Sequence, residues 1–274
     1  MSIYELGFIG TGNMGGALAC AAVKSVPPEA VVLCNRTAEK AETLARQLGC
    51  ASGGNECAAR NSRFLMLGVK PQMMQELLRS IRPILESRTD RFVLVSMAAG
   101  LSIQQIVQMA GAEYPVIRIM PNMPVKAGEG MILSARSALV TDREAEDFTA
   151  AFKAAGRIDW IPEALIDAGC AVAGCGPAFA AMFAEALADG GVACGLPRKN
   201  AVEYAAQMLL GTARMLLDGG IHPGALKDAV CSPAGSTIAG VRALEENGFR
   251  AACMQAVVDA YDRTKELGTP KAGK

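Results

Sequence analysis

The six residues Gly10-Thr-Gly12-Asn-Met-Gly15 leave this chain few folds to choose from. They follow an apolar run, Tyr4–Ile9, that reads as a buried strand, and they lead into Met14–Lys24, which has helical spacing. Between strand and helix, Gly-x-Gly-x-x-Gly is the phosphate turn of a dinucleotide-binding βαβ unit. The first glycine permits the tight turn, the second lets backbone approach a pyrophosphate, and the third lets the helix pack on the strand. The helix start then offers unpaired N–H groups to the phosphates.

The same alternation continues. Val31–Asn35, Phe64–Val69, Phe92–Ser96 and Val116–Met120 read as further buried strands, with Gly156–Ile161 as a final one. Helices are predicted at Ala38–Leu48, Gln72–Ile81 and Ser102–Met109. Capping boxes stand at Ser102-Ile-Gln-Gln105 and Thr141-Asp-Arg-Glu144. Strand and helix in alternation imply crossovers of one hand and a mostly parallel sheet over residues 1–161.

After Pro162 the strand signals stop, and residues 162–274 read as all-helical. Pro177–Val192, Arg198–Leu217, Pro223–Val230, Thr237–Asn247 and Phe249–Leu267 are the helices, separated by Gly195-Leu-Pro197, Gly219-Gly220 and Asn247-Gly248. They are rich in Ala and Gly, and too apolar for one small domain to cover, so a homodimer is expected.

The 274 residues suit two domains of ordinary size. Lys plus Arg, 27, balances Asp plus Glu, 27, which argues against a nucleic-acid partner. The nine cysteines include no CxxC, and with His222 the only histidine no zinc spacing exists, so no metal is expected. Reduced thiols, an N-terminal stretch that lacks signal-peptide character, and the glycine- and proline-broken uncharged run Ala168–Ala184 point to a cytoplasmic protein outside the membrane.

Cofactor choice should be written about twenty residues past the glycines. Asn35-Arg36-Thr37 stands there, with no carboxylate before Glu39. These side chains donate to a ribose 2′-phosphate that a carboxylate would repel, so NADPH is expected ahead of NADH. The bland alternative is a strand end and helix cap. Val69-Lys70-Pro71 and Met97-Ala98-Ala99 follow strands, where open α/β sheets bind ligands. In the second half, Ser232-Pro-Ala-Gly235 reads as a turn and Ser236-Thr237 as a helix start. Its successive amides suit a carboxylate, although a Ser/Thr cap explains the same residues, as an N-cap does His222.

From Pro223 to Glu245 the sequence resembles the signature of Δ1-pyrroline-5-carboxylate reductases, with its Ser-Pro-x-Gly-x-Thr core. The resemblance extends through GFIGTGNMG, VKPQ, SMAAG, Met120-Pro-Asn-Met-Pro124, Gly174-Cys-Gly-Pro-Ala178 and Glu185-Ala-Leu-Ala-Asp189. It implies an α/β enzyme with an N-terminal Rossmann dinucleotide-binding domain, then an all-α dimerisation and substrate-binding domain. Such an enzyme reduces the cyclic imine 1-pyrroline-5-carboxylate to L-proline with NAD(P)H, as a homodimer often built into a decamer of five dimers. The resemblance implies that Gly10, Thr11, Gly12, Asn13 and Met14 hold the pyrophosphate. Asn35, Arg36, Thr37 and Asn55 would surround the adenosine ribose, and Val69, Lys70, Pro71, Met97, Ala98 and Ala99 the nicotinamide side. Ser232, Gly235, Ser236 and Thr237 would receive the substrate, with Thr237 as the catalytic hydroxyl.

Ala234, Met123, Cys175 and Gly220 depart from the common pattern and put the pocket's fine shape in question. Two rivals remain. A β-hydroxyacid dehydrogenase would carry a lysine within Gly174–Ala188, where there is none. A non-catalytic dinucleotide-binding scaffold would have no need of an intact Ser232–Thr237 turn.

Overall fold

A computed structural model describes residues 3–268. Its sheet has eight strands: β1 (Tyr4–Ile9), β2 (Val31–Cys34), β3 (Ala51–Ser52), β4 (Ser62–Leu67), β5 (Val93–Ser96), β6 (Val116–Met120), β7 (Gly130–Arg136) and β8 (Gly156–Trp160). They lie in the order β3-β2-β1-β4-β5-β6-β7-β8, every pair parallel except β6–β7. The strand order reverses between β1 and β4, which opens a crevice at their carboxyl ends.

Helices α1 (Asn13–Ala22), α2 (Ala38–Leu48), α3 (Asn55–Asn61), α4 (Pro71–Ser87), α5 (Ile103–Ala110) and α6 (Asp142–Ala151) connect the strands. Alternation along each strand divides the core into two layers. Leu6 and Phe8 of β1 and Phe64 and Met66 of β4 face α1, α2 and α6; Ile9, Leu65 and Leu67 face α3, α4 and α5. On the first face Phe64, Phe148 and Phe152 make a chain of ring contacts with centroids 5.8 and 4.9 Å apart, and Phe8 meets Phe152 at 6.4 Å.

Both predicted capping boxes form. In the second, buried Glu144 accepts from the Thr141 N–H at 2.8 Å and from the Arg91 guanidinium at 2.7 and 2.9 Å. Burial alone would raise its pKa; the hydrogen bonds from Arg91 and Thr141 outweigh it and bring the carboxyl down to about 2.

Several boundaries move. β2 stops one residue short of Asn35, and β4 starts at Ser62 and ends at Leu67, so Val69 lies in the loop. α4 continues past the predicted end at Ile81, through Pro83 to Ser87, because Ile84 and Leu85 extend its buried face. β3, β7 and α3 were not expected.

α7 (Ile166–Gly169) passes into a π-helical turn, Cys170–Gly174. Two anchors fix this segment. Buried Arg118 on β6 binds Asp167 at 2.5 Å, and the Asn122 amide donates to the Ala173 carbonyl while accepting from the Met131 N–H, both at 2.9 Å. Glu163–Ala193 forms one helical stretch of 31 residues, long and apolar enough by length and composition to cross a membrane. The uncharged run Ala168–Ala184 within it reads from sequence as too short and broken to span a bilayer; the structure differs only in that a π-helical turn keeps the helix continuous across Gly169 and Gly174. Only 11% of its most apolar window is buried.

Packing separates two compact units, one running to Cys175 and taking in the stretch from Ala260, the other Gly176–Asp259. The second is helical: α8 (Gly176–Ala193), α9 (Arg198–Gly219), α10 (Pro223–Val230), α11 (Ser236–Glu246) and the start of α12 (Phe249–Gly268). Its buried residues among those described are four: Ala188, Ala201, Ala205 and Leu226. Met182, Tyr204, Leu210, Met215 and Met254 stand exposed.

Candidate active site

The residues expected on the cofactor side all lie at the carboxyl ends of the parallel strands. Gly10–Met14 follow β1, Asn35–Thr37 follow β2, Asn55 opens α3 beyond β3, Val69–Pro71 follow β4 and Met97–Ala99 follow β5. The sheet order makes these strands consecutive, so loops far apart in sequence form a single row.

Each glycine of the turn has a distinct reason to be there. Gly10 has φ +102°, a conformation closed to most L-residues. A Cβ on Gly15 would lie 2.1 Å from the Gly10 carbonyl oxygen, so α1 packs directly on its own turn. A Cβ on Gly12 would meet nothing within 4 Å, and Gly12 caps α1 with no side-chain hydrogen bond. The first N–H groups of α1 are therefore free for an anion. Beside them the Thr11 hydroxyl is buried and has no partner among the described residues. A bare helix start, open space over Gly12 and an orphaned hydroxyl fit a bound pyrophosphate.

The adenosine side is less fully built. The Asn35 amide donates to the Thr37 carbonyl at 3.3 Å, while Arg36 and Thr37 are exposed. Thr37 is the N-cap residue of α2, but its hydroxyl makes no capping bond and stays available. A surface hollow of about 410 Å³ lies between Thr11 and Glu39, Lys40, Thr43, Leu44 and Gln47 of α2. Sequence reasoning passed over Lys40, although a cation in a first helical turn, where the dipole disfavours it, was a usable signal. The thiol of Cys34, beside Asn35, is pushed up to about 12 by burial and the neighbouring Cys57, and donates to the Gly54 carbonyl at 3.2 Å. It therefore adds no negative charge here. On the nicotinamide side Lys70 caps α4 through its backbone alone, and the Ala98 N–H lies 3.4 Å from the buried Ser96 hydroxyl.

Ser232, Gly235, Ser236 and Thr237 are brought together by local geometry in the helical unit. The Gly235 N–H donates to the Ser232 carbonyl at 3.1 Å, closing a turn with Pro233 and Ala234 at its centre. Ala234 has φ +56°, the position of such a turn that favours glycine. Gly235, not a serine or threonine, is the N-cap of α11, and no side chain caps it. That corrects the capping reading of Ser236-Thr237: Thr237 sits one residue inside the helix, exposed, with no hydrogen bond from its hydroxyl among the described residues. By contrast His222 does cap α10, its Nδ1 accepting from the Gly224 N–H at 3.1 Å.

Comparison with known proteins finds a different family model for each part of the chain. Residues 5–100 match the family model for NADP oxidoreductases, coenzyme F420-dependent, and residues 163–267 match that for pyrroline-5-carboxylate reductase dimerisation. A pyrroline-5-carboxylate reductase of Synechocystis is 40% identical over 98% of this chain and 99% of its own length. The chain belongs to the pyrroline-5-carboxylate reductase family. The Escherichia coli reductase is 37% identical over 96% of this chain and 98% of its own. The crystal structure of the Plasmodium falciparum reductase with NADP bound superposes with a TM-score of 0.87 at 31% identity, covering 98% of this chain and 100% of that one. The likeness to the reductases thus spans both units, and the segments matched by the two family models contain every candidate residue. An imine reductase from Pseudomonas, 19% identical with a TM-score of 0.57, shares the fold.

Proposed function

We propose that this chain reduces the C=N bond of 1-pyrroline-5-carboxylate to give L-proline, with NADPH preferred over NADH. The dihydronicotinamide supplies a hydride to the ring carbon of the imine, and the ring nitrogen keeps or gains a proton. The chain's own work is to bind, orient and polarise. Gly10–Met14 take the pyrophosphate on the N–H groups of α1, and Arg36, with Asn35 and Thr37, takes the 2′-phosphate. Asn55 lies by the ribose, and Val69–Pro71 and Met97–Ala99 line the nicotinamide side. The free amides at the start of α11, at Ser236 and Thr237 beyond the Gly235 cap, hold the substrate carboxylate with help from Ser232.

The Thr237 hydroxyl carries the reading. Its helix is capped by a glycine, so it is not needed for capping, and it stands at the same bare helix start as the carboxylate site. There it bonds the ring nitrogen and steadies the proton of the iminium. The expected domain division, residues 1–161 for the dinucleotide and 162–274 for substrate and dimerisation, follows these roles. The helical unit buries so few of its own residues that a second copy is the natural cover, with a decamer of five dimers as the larger assembly. Nine cysteines without a disulfide accord with the cytoplasm.

The test is NADPH oxidation with 1-pyrroline-5-carboxylate against its six-membered homologue. Turnover of the five-membered imine at least tenfold more efficient is expected; no oxidation with either would overturn the reading.

A further inference from the structure

The two edges of the sheet are unlike. β3 at one edge is two residues long, too short to template a partner. β8 at the other runs for five residues and is paired on one side, with β7. The register shows which backbone groups it leaves open. Ser134 lies opposite Trp160, and the Ile161 N–H donates to the Ser134 carbonyl at 2.9 Å. In a parallel ladder, alternate residues turn both their N–H and C=O toward one neighbour. Arg157, Asp159 and Ile161 thus spend their backbone groups on β7, and Gly156, Ile158 and Trp160 direct theirs out of the sheet. Ile158 and Trp160 pack their side chains into the core layer, while those of Arg157 and Asp159 are exposed and make no ion pair among the described residues.

We propose that β8 pairs with β8 of a second copy, antiparallel, about a two-fold axis through Ile158. That axis sets Ile158 opposite its own copy, joined by two reciprocal N–H···O=C bonds, with Gly156 opposite Trp160 on either side in the same bonded pattern. It also sets Arg157 opposite Asp159, twice, at the non-hydrogen-bonded positions where side chains across a ladder approach most closely. Charge fixes the register. A slip of two residues keeps the backbone bonding but brings Arg157 against Arg157, or Asp159 against Asp159. The occupant is a second copy because the edge is complementary to itself in charge and in bonding at one register. Five residues bury less surface than a stable dimer needs. The contact is therefore expected between particles that each offer two such edges, so that avidity supports it; to that extent it rests on dimerisation through the helical unit.

Sedimentation velocity over a concentration series, at low and high salt, tests this on the full chain. The wild type should show a concentration-dependent step beyond the dimer, weakened by salt. Arg157→Asp should weaken that step about tenfold or more while leaving the dimer intact. The double exchange Arg157→Asp with Asp159→Arg should restore it. Melting temperature and NADPH oxidation per protomer check that each variant is folded, since both side chains are exposed. A wild type whose mass never exceeds the dimer, an Arg157→Asp protein that assembles as the wild type does, or a double exchange that fails to restore the step would overturn the proposal. A wild type that stays monomeric would overturn the dimerisation reading separately.

Discussion

Gly10 and Gly68 meet across the switch point of the sheet with no room for a side chain on either. A Cβ on Gly10 would lie 2.4 Å from the Gly68 carbonyl oxygen, and one on Gly68 would lie 2.5 Å from the Gly10 carbonyl oxygen. The Gly68 N–H donates to the Ile9 carbonyl at 2.8 Å, so the two loops cannot separate without losing a bond. The phosphate turn is therefore held in shape by a residue outside its own motif. Gly68→Ala should destabilise the fold by about 2–3 kcal/mol and weaken NADPH binding in the folded fraction. Urea unfolding and a fluorescence titration with NADPH would measure both, and a variant unchanged in both would show that the loops part freely.

Thr237→Ala should lower kcat/KM by about ten- to a thousandfold, the range for one hydrogen bond to a charged group. Thr237→Ser should retain most activity. Because Gly235 is the cap, the alanine variant should melt within a degree or two of the wild type. A marked loss of melting temperature with normal kinetics would return Thr237 to a structural role.

Ala234 holds a left-handed backbone that costs a non-glycine residue about 1–2 kcal/mol. Ala234→Gly removes that strain and adds some freedom to the unfolded chain, so a net gain of about 0.5–1 kcal/mol is expected by calorimetry. Destabilisation would mean that the alanine methyl makes a contact of greater value.

Arg36→Asp should raise the KM for NADPH far more than that for NADH. It removes a charge-assisted bond to the 2′-phosphate and adds a repulsion, together about 2–4 kcal/mol. An unaltered NADPH/NADH ratio would show that Arg36 points away from the cofactor.

Glu144 links stability to acid. Its folded carboxyl is brought down to about 2, whereas the unfolded chain titrates in the ordinary carboxylate range. Between those values the unfolded state binds more protons, so up to about 3 kcal/mol present at neutral pH is lost as pH falls. Glu144→Gln should be destabilised relative to wild type at pH 7, with the gap narrowing toward pH 3. A gap independent of pH would assign the effect to packing.

Local chemistry made much of this legible before any coordinates. β1, β6, α2 and α10 run as the sequence reads, because their apolar runs or caps end sharply. β7 escaped because Met131–Leu133 is a short apolar run followed by Ser134, Ala135 and Arg136, and only its place between β6 and β8 buries Ser134. α3 is seven polar and small residues, held by packing rather than propensity. The row of loops expected to hold the cofactor was readable because strand ends are readable. The cap of α11 was not, since backbone angles that the sequence does not show make Gly235 rather than Ser236 the last non-helical residue.

The ring contacts of Phe8 with Phe152, and of Phe64 with Phe148, join β1 and β4 to α6 and the residue that caps it. β1 sits in mid-sheet, yet one of its faces is completed by residues made more than a hundred positions later. During synthesis, then, the ribosome must deliver the chain beyond Trp160 before that layer can close. Until it does, Leu6, Phe8, Phe64 and Met66 are covered by α1 and α2 alone, and the part of that face left open is where the nascent chain most needs shielding.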